Sequence, residues 1–191
     1  MKVVIDTSSL LALVRYYLPF DKKGVLFQFI KLKIENGDII LIDKVLQECG
    51  YNSKGLVLSK LPYLTDKVFL KASKVPFKTE LLFAPNTRQF LHQLNNNFVN
   101  KIIKKAKGFT ESEFESEKSR FVESADLKLV ILALKLKNEG EQVVLVTEET
   151  ASSNDNKLFK KIPAICNELE IETIALPALI AKYDGIDFYF Q

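Results

Sequence analysis

The first residues of the chain constrain its fold more than any other stretch. The apolar run Val3–Ile5 stands between Lys2 and Asp6. A short β-favouring run bounded by polar residues is typical of a buried strand in a parallel sheet. Asp6 then lies at the carboxyl end of that strand, where open α/β sheets bind their ligands. Because a buried carboxylate is costly without a cationic partner, we expect a metal ion or a basic side chain beside it.

Three further apolar runs, at 38–42, 142–146 and 171–176, predict strands, and helical patterns separate all of them. Strands alternating with helices favour a parallel sheet covered on both faces. The sequence therefore predicts an α/β fold of three layers, α/β/α, in a single domain over 1–191. The stretch 51–120 is too long for a connection within such a domain, so we expect a helical insertion there.

Two local expectations concern helix boundaries. A helix over 9–18 follows the first strand, with Ser8 or Ser9 as its N-terminal cap. Within the insertion, apolar residues at helical spacing predict one continuous helix that begins after Asn86 and ends at Gly108.

Composition indicates an intracellular globular protein. Hydrophobic residues make up 47% of the 191 residues, and no run approaches the roughly eighteen apolar residues of a membrane helix. The N-terminus lacks the pattern of a signal peptide, and Cys49 and Cys166 lack the spacing of a disulfide framework or a metal site. We therefore expect a cytoplasmic protein without a membrane partner. The net charge of +3 argues only weakly for nucleic acid.

Carboxylates recur where predicted strands end and predicted helices begin. Asp6 ends the first strand, Glu48 lies on a short helix after the second, and Asp126 lies in the first turn of a buried helix. Glu148 and Glu149 follow the third strand. Carboxylates that converge repel one another, and hard divalent cations are their usual partners. With phosphodiester substrates, such sites hold one or two Mg²⁺ or Mn²⁺ ions that generate a hydroxide nucleophile and stabilise the leaving oxygen.

The stretch Val3–Ser8, followed in order by Glu48, Asp126 and the strand end Thr147–Glu149, resembles the PIN-domain nucleases. The resemblance covers about 1–50 and 124–180 and fails over the insertion. A turn of Lys-Ile-Pro with a nearby cysteine, at 161–166, is similar to one uncharacterised bacterial branch of the family. The resemblance implies a PIN-like fold with a helical insertion.

The same resemblance implies a Mg²⁺- or Mn²⁺-dependent endoribonuclease, similar to the toxins of toxin–antitoxin pairs. The expected partners are an RNA substrate and an antitoxin protein, and a homodimer is a further option. Glu149 matches the aspartate of the family's Thr-x-Asp; glutamate there is a departure, and Glu148 competes for the role. By this match the catalytic residues are Asp6, Glu48, Asp126 and Glu149, the metal ligands are Asp6, Asp126 and Glu149, and the supporting residues are Ser8, Thr147, Glu148 and Asp155.

Plainer alternatives stand beside these predictions. Lys101, Lys104 and Lys105 share a helix face that is either a solvated surface or an RNA-binding patch. A catalytically degenerate PIN-like RNA-binding or scaffold protein is a second hypothesis. A haloacid-dehalogenase-like phosphatase is excluded because Ser8 occupies the position of its second aspartate. The only histidine, His92, lies in the insertion, which favours activation of water by a metal over a histidine base.

Overall fold

The computed structural model of the chain describes residues 1–151 and 157–183 and is built around a four-stranded parallel sheet in the order β2-β1-β3-β4. The central strands β1 and β3 are in register, with Ile5 opposite Val146. Because all strands run the same way, their carboxyl ends lie at one edge. The predicted α/β fold is confirmed. The strands are β1 (Lys2–Ile5), β2 (Ile39–Ile40), β3 (Val143–Val146) and β4 (Glu172–Ile174).

Helices account for most of the remaining described chain. A π-helical turn, Leu13–Tyr17, extends the first of them. None of the helices in 1–151 and 157–183 has the length and apolar character needed to span a membrane. The α-helices are α1 (Thr7–Ala12), α2 (Val25–Glu35), α3 (Asp43–Tyr51), α4 (Leu56–Lys60), α5 (Lys67–Ala72), α6 (Thr87–Asn96), α7 (Lys101–Ala106), α8 (Glu111–Val122), α9 (Ala125–Asn138), α10 (Ile162–Glu168) and α11 (Leu176–Ala181).

Helix α9 is the helix that brings an acidic residue to the sheet. Its residues Leu127–Ala133 are all buried, and the helix packs on β1 and β3. Each fully buried Leu or Ile contributes about 1.5–3 kcal/mol relative to an exposed one. The Ser124 side chain caps the helix by accepting a hydrogen bond from the backbone N–H of Leu127 at 3.2 Å. The first turn, which carries Asp126, is therefore fixed at the carboxyl edge of the sheet.

The prediction of one continuous helix between Asn86 and Gly108 is wrong, because the structure has two helices there, α6 and α7. Phe98 and Val99 between them are buried, and Val99 forms an antiparallel bridge with Phe159. The backbone N–H of Asn100 donates to the Leu158 carbonyl at 2.7 Å, and that of Lys160 donates to the Phe98 carbonyl at 2.8 Å. A non-local pairing therefore outweighs the local helical pattern.

Strand β2 is also shorter than predicted, because the chain leaves the sheet to pair with the insertion. The Phe77 backbone N–H donates to the Leu41 carbonyl at 2.8 Å, and the Asp43 N–H donates to the Phe77 carbonyl at 3.0 Å. The stretch 51–120 contains helices α4 to α7 and most of α8. Its backbone forms hydrogen bonds with the sheet frame near residues 41–43 and 158–160.

We predict that Ser124→Ala lowers the free energy of unfolding by about 1 kcal/mol, the usual cost of losing a serine cap. Ser119→Ala on the exposed face of α8 is the matched control, since that hydroxyl donates only to the Glu115 carbonyl within its own helix. We expect the control to change stability by less than about 0.5 kcal/mol. Urea unfolding measures both; equal losses would mean that the cap does not stabilise α9.

Candidate active site

Asp6 is a buried carboxyl at the junction of β1 and α1, with 5% of its surface exposed. Its Oδ1 accepts a hydrogen bond from the Ser9 backbone N–H at 2.8 Å, so Asp6 itself caps α1. The predicted cap at Ser8 or Ser9 is therefore wrong. The hydroxyl of Ser8 lies 2.9 Å from both Asp6 oxygens and donates to this carboxyl. Burial raises the pKa of Asp6, and the hydrogen bonds from Thr147, Ser9 and Ser8 oppose that rise.

Thr147 links the ends of the two central strands. It follows β3 and is buried, and its Oγ1 donates a hydrogen bond to Asp6 Oδ2 at 2.6 Å. The same Oγ1 accepts from the Glu149 backbone N–H at 3.1 Å. One hydroxyl thus contacts both Asp6 and the turn on which Glu149 lies. The supporting role of Thr147 in a catalytic site stays a prediction.

Glu48 reaches the site from α3. It is half-buried, and its Oε2 accepts a hydrogen bond from Thr7 Oγ1 at 2.5 Å. Sequence reasoning missed Thr7, although its position directly after Asp6 was the available signal. The neighbouring Cys49 thiol is buried; burial and, to a smaller extent, the charges of Glu48 and Asp6 raise its pKa to about 12. Glu48 and Asp6 therefore act electrostatically on the same thiol.

The pKa of Asp126 responds to the charges of the other acidic side chains. Its pKa is raised from an ordinary value of 3.8 to about 6, chiefly by burial and then by the negative charges of Glu149 and Glu48. Lys157 opposes the rise, and Asp6 adds to it. Acidic side chains at the end of β1, on α3 and in the turn after β3 are thus close enough to raise the pKa of Asp126.

Glu148 and Glu149 point to different surroundings. Glu149 lies toward Asp126, where its Oε1 is 3.7 Å from Lys157 Nζ. Glu148 Oε1 instead accepts a hydrogen bond from the Leu176 backbone N–H at 2.8 Å, at the start of α11. Both carboxylates also make structural contacts, because Glu149 Oε2 accepts from the Ile162 backbone N–H at 3.4 Å and Glu148 Oε1 accepts from the Ser9 hydroxyl at 3.5 Å. The charge of Glu149 helps to raise the pKa of Asp126, which favours Glu149 as the fourth acidic residue.

The donor set consists of carboxyl oxygens, which are the ligands that Mg²⁺ and Mn²⁺ prefer. In the described part of the chain, no group of three or more His, Cys, Asp or Glu side chains is placed to hold a metal ion by itself. Mg²⁺ usually binds through one or two carboxylates together with waters and substrate phosphates. The repulsion felt by Asp126 is also what a cation would relieve, so these residues fit a metal that is shared with substrate. Asp155 lies outside the described residues.

The remaining predicted residues lie on α6 and α7. His92 is exposed, as are Lys101 and Lys105. Lys104 Nζ lies 3.3 Å from the centroid of the Phe114 ring, so its ammonium group makes a cation–π contact. None of these side chains contacts the four acidic residues, and a role for the lysines in RNA binding stays a prediction.

Residues 78–185 match the model of a protein family described as "Domain of unknown function (DUF4411)". No curated protein and no solved structure matches the chain. The matched range includes Asp126 and Glu149, whereas Asp6 and Glu48 precede it.

The raised pKa of Asp126 predicts a specific pH dependence of stability. Between about pH 4 and pH 6 the unfolded chain loses this proton while the folded chain keeps it, so stability falls as the pH rises. Above about pH 6 the cost is constant, on the order of 2–3 kcal/mol for a shift of this size. Asp126→Asn should therefore stabilise the metal-free protein by that order at about pH 7.5 and have little effect near pH 4.

Denaturant unfolding at the two pH values measures the difference. Glu141→Gln, at an exposed position before β3, is the control, and we expect it to change stability by less than about 0.5 kcal/mol at both. A destabilised Asp126→Asn protein at neutral pH would contradict the account of a repelling cluster.

Proposed function

We propose that this chain, which belongs to the family described as "Domain of unknown function (DUF4411)", is a metal-dependent endoribonuclease that hydrolyses RNA phosphodiester bonds. The observation that supports this most is the convergence of four carboxyls from separate elements at one edge of a parallel sheet. Their order along the chain and the Thr147 turn resemble the PIN-domain nucleases. The residues are Asp6, Glu48, Asp126 and Glu149.

In this proposal Asp6, Asp126 and Glu149 hold Mg²⁺ or Mn²⁺. The bound ion supplies a water of lowered pKa and stabilises charge on the leaving oxygen. Ser8, the Ser9 backbone N–H and Thr147 fix the orientation of the Asp6 carboxyl through hydrogen bonds of 2.6–2.9 Å. Such contacts keep a ligand in position before metal and substrate bind.

Glu48 and Asp126 set the charge of the site. Thr7 holds the Oε2 of Glu48 through a hydrogen bond, and the charge of Glu48 contributes to the raised pKa of Asp126. Since the Asp126 pKa is about 6, the metal-free protein offers its full set of carboxylates only above about that pH. We infer that metal binding competes with protons and weakens as the pH falls through this range.

A more specific proposal is that the protein is the toxin of a toxin–antitoxin pair. Likeness to the toxins of toxin–antitoxin pairs implies an antitoxin protein that blocks the site, and a homodimer is a further arrangement to test. Because cellular RNA is the proposed substrate, we infer a cytoplasmic site of action.

A second candidate function is a catalytically degenerate PIN-like protein that binds RNA or acts as a scaffold. One observation favours it: Lys157 lies 3.7 Å from Glu149 and offers the cluster a cation of its own. In that case the acidic side chains would need no metal, and RNA would bind without being cut.

Cleavage of RNA with and without Mn²⁺ separates the two candidates. We expect the wild-type protein to cut single-stranded RNA only when Mn²⁺ or Mg²⁺ is present. Asp6→Asn and Asp126→Asn should each reduce the rate at least about a hundredfold, because metal-ion stabilisation of the transition state is worth several kcal/mol.

Asp38→Asn is the matched control. It makes the same chemical change just before β2, at the amino edge of the sheet, where Asp38 pairs with Lys33 at 2.9 Å. We expect this variant to cut RNA at the wild-type rate. Metal-dependent cleavage that survives in both site variants would come from another site or a contaminant, and RNA binding without cleavage by the wild type would favour the second candidate.

A further inference from the structure

A cavity of about 510 Å³ opens beside the acidic site, with Asp126 in its wall. The insertion contributes one wall, from the end of α7 and from α8, and residues 157–161 contribute the other. The antiparallel pairing of 98–100 with 158–160 joins the two. The side chains that matter here are Lys107, Phe109, Arg120, Lys157, Lys160 and Lys161.

Basic side chains outnumber acidic ones in the lining of this cavity. Five basic side chains line it against two acidic ones, Glu117 and Asp126. Three of these basic groups lie beside acidic neighbours: Arg120 lies 3.0 Å from Glu117, Lys160 lies 2.5 Å from Glu168 and Lys157 lies 3.7 Å from Glu149. Partly exposed ion pairs of this kind contribute little to stability, so phosphate groups can replace the acidic partners at little cost.

Aromatic rings lie among these cations. Phe121 and Phe159 stack with ring centroids 4.3 Å apart and planes at 1°. Phe109 is half-buried, and Lys107 Nζ lies 5.9 Å from its ring centroid. A groove that combines basic groups with aromatic rings is the arrangement that binds single-stranded nucleic acid, because phosphates meet the cations while bases stack on the rings.

We propose that this cavity binds the single-stranded RNA that is to be cut, with Lys107 and Arg120 at its phosphates and Phe109 against a base. The inference rests on the proposed nuclease function and gives the insertion a role, since the insertion supplies all three residues. Bound there, the strand continues to Asp126, so its next phosphodiester reaches the acidic residues. A duplex would hide its bases from Phe109, and an acidic protein segment would gain nothing from the ring.

Binding is measured by fluorescence anisotropy of a labelled ten-nucleotide oligouridylate, in EDTA so that no cleavage occurs, over a series of salt concentrations. The test variant is Lys107→Ala with Arg120→Ala, both exposed positions. Losing two phosphate contacts should lower affinity and reduce the slope of log K against log salt by about 1.4. Phe109→Ala should weaken binding roughly five- to a hundredfold and leave the slope unchanged.

The control is Lys135→Ala with Lys182→Ala, which removes the same charge from exposed positions at the opposite edge of the sheet. Lys135 is near the C-terminal end of α9, and Lys182 bonds Glu172 at the start of β4. We expect this variant to bind with the wild-type slope. Equal slope changes in the two double variants would overturn the proposal, because only total charge would then matter.

Two further outcomes would also overturn it: binding that does not depend on Phe109 and is displaced by polyglutamate, which would indicate a surface for an acidic protein, or equal affinity for duplex RNA. Failure of the groove is distinguishable from failure of the nuclease function. If the wild-type protein cuts RNA and the groove variants bind RNA as tightly as the wild type, the proposed groove is wrong and the nuclease function stands. If RNA binding depends on the groove residues but the wild-type protein cuts no RNA with Mn²⁺ or Mg²⁺, the nuclease function is wrong and the groove stands as an RNA-binding site.

Discussion

The buried hydrogen bond from Thr147 to Asp6 is the contact on which the rest of the site depends. At 2.6 Å it joins the carboxyl ends of the two central strands, and a bond to an ionised carboxylate is among the stronger kinds. Asp6 also begins α1, and the same threonine hydroxyl orients the turn to Glu149. Strand pairing therefore determines the distances between side chains that are about 140 residues apart in the chain.

Repulsion among carboxyls is the cost of that arrangement. Hydrophobic burial of β1, β3 and α9 brings Asp6 and Asp126 to one edge, and the burial that stabilises the core raises the pKa of both. A structural site would reduce this cost by pairing each carboxyl with a base. Here Lys157 is the cation that opposes the shift at Asp126, and much of the shift remains. The folded protein thus retains a site whose charge favours a hard cation.

Residues at strand ends and helix starts could be predicted from the sequence, because local patterns specify them. Asp6 and Asp126 belong to this group: an apolar run or a cap precedes each, and the parallel sheet brings such ends together. The break between α6 and α7 at Phe98 and Val99 could not be predicted from the sequence, because it depends on pairing with residues 60 positions away. The choice between Glu148 and Glu149 depends on α11, and the basic cavity is assembled from two distant segments.

Anomalous X-ray diffraction from crystals grown with Mn²⁺ and a non-hydrolysable RNA fragment tests the central claim most directly. The account predicts a manganese peak beside the carboxyls of Asp6 and Asp126, with a phosphate of the RNA among its ligands. Manganese at another place on the protein, or ordered carboxyls at saturating Mn²⁺ with no peak between them, would contradict it.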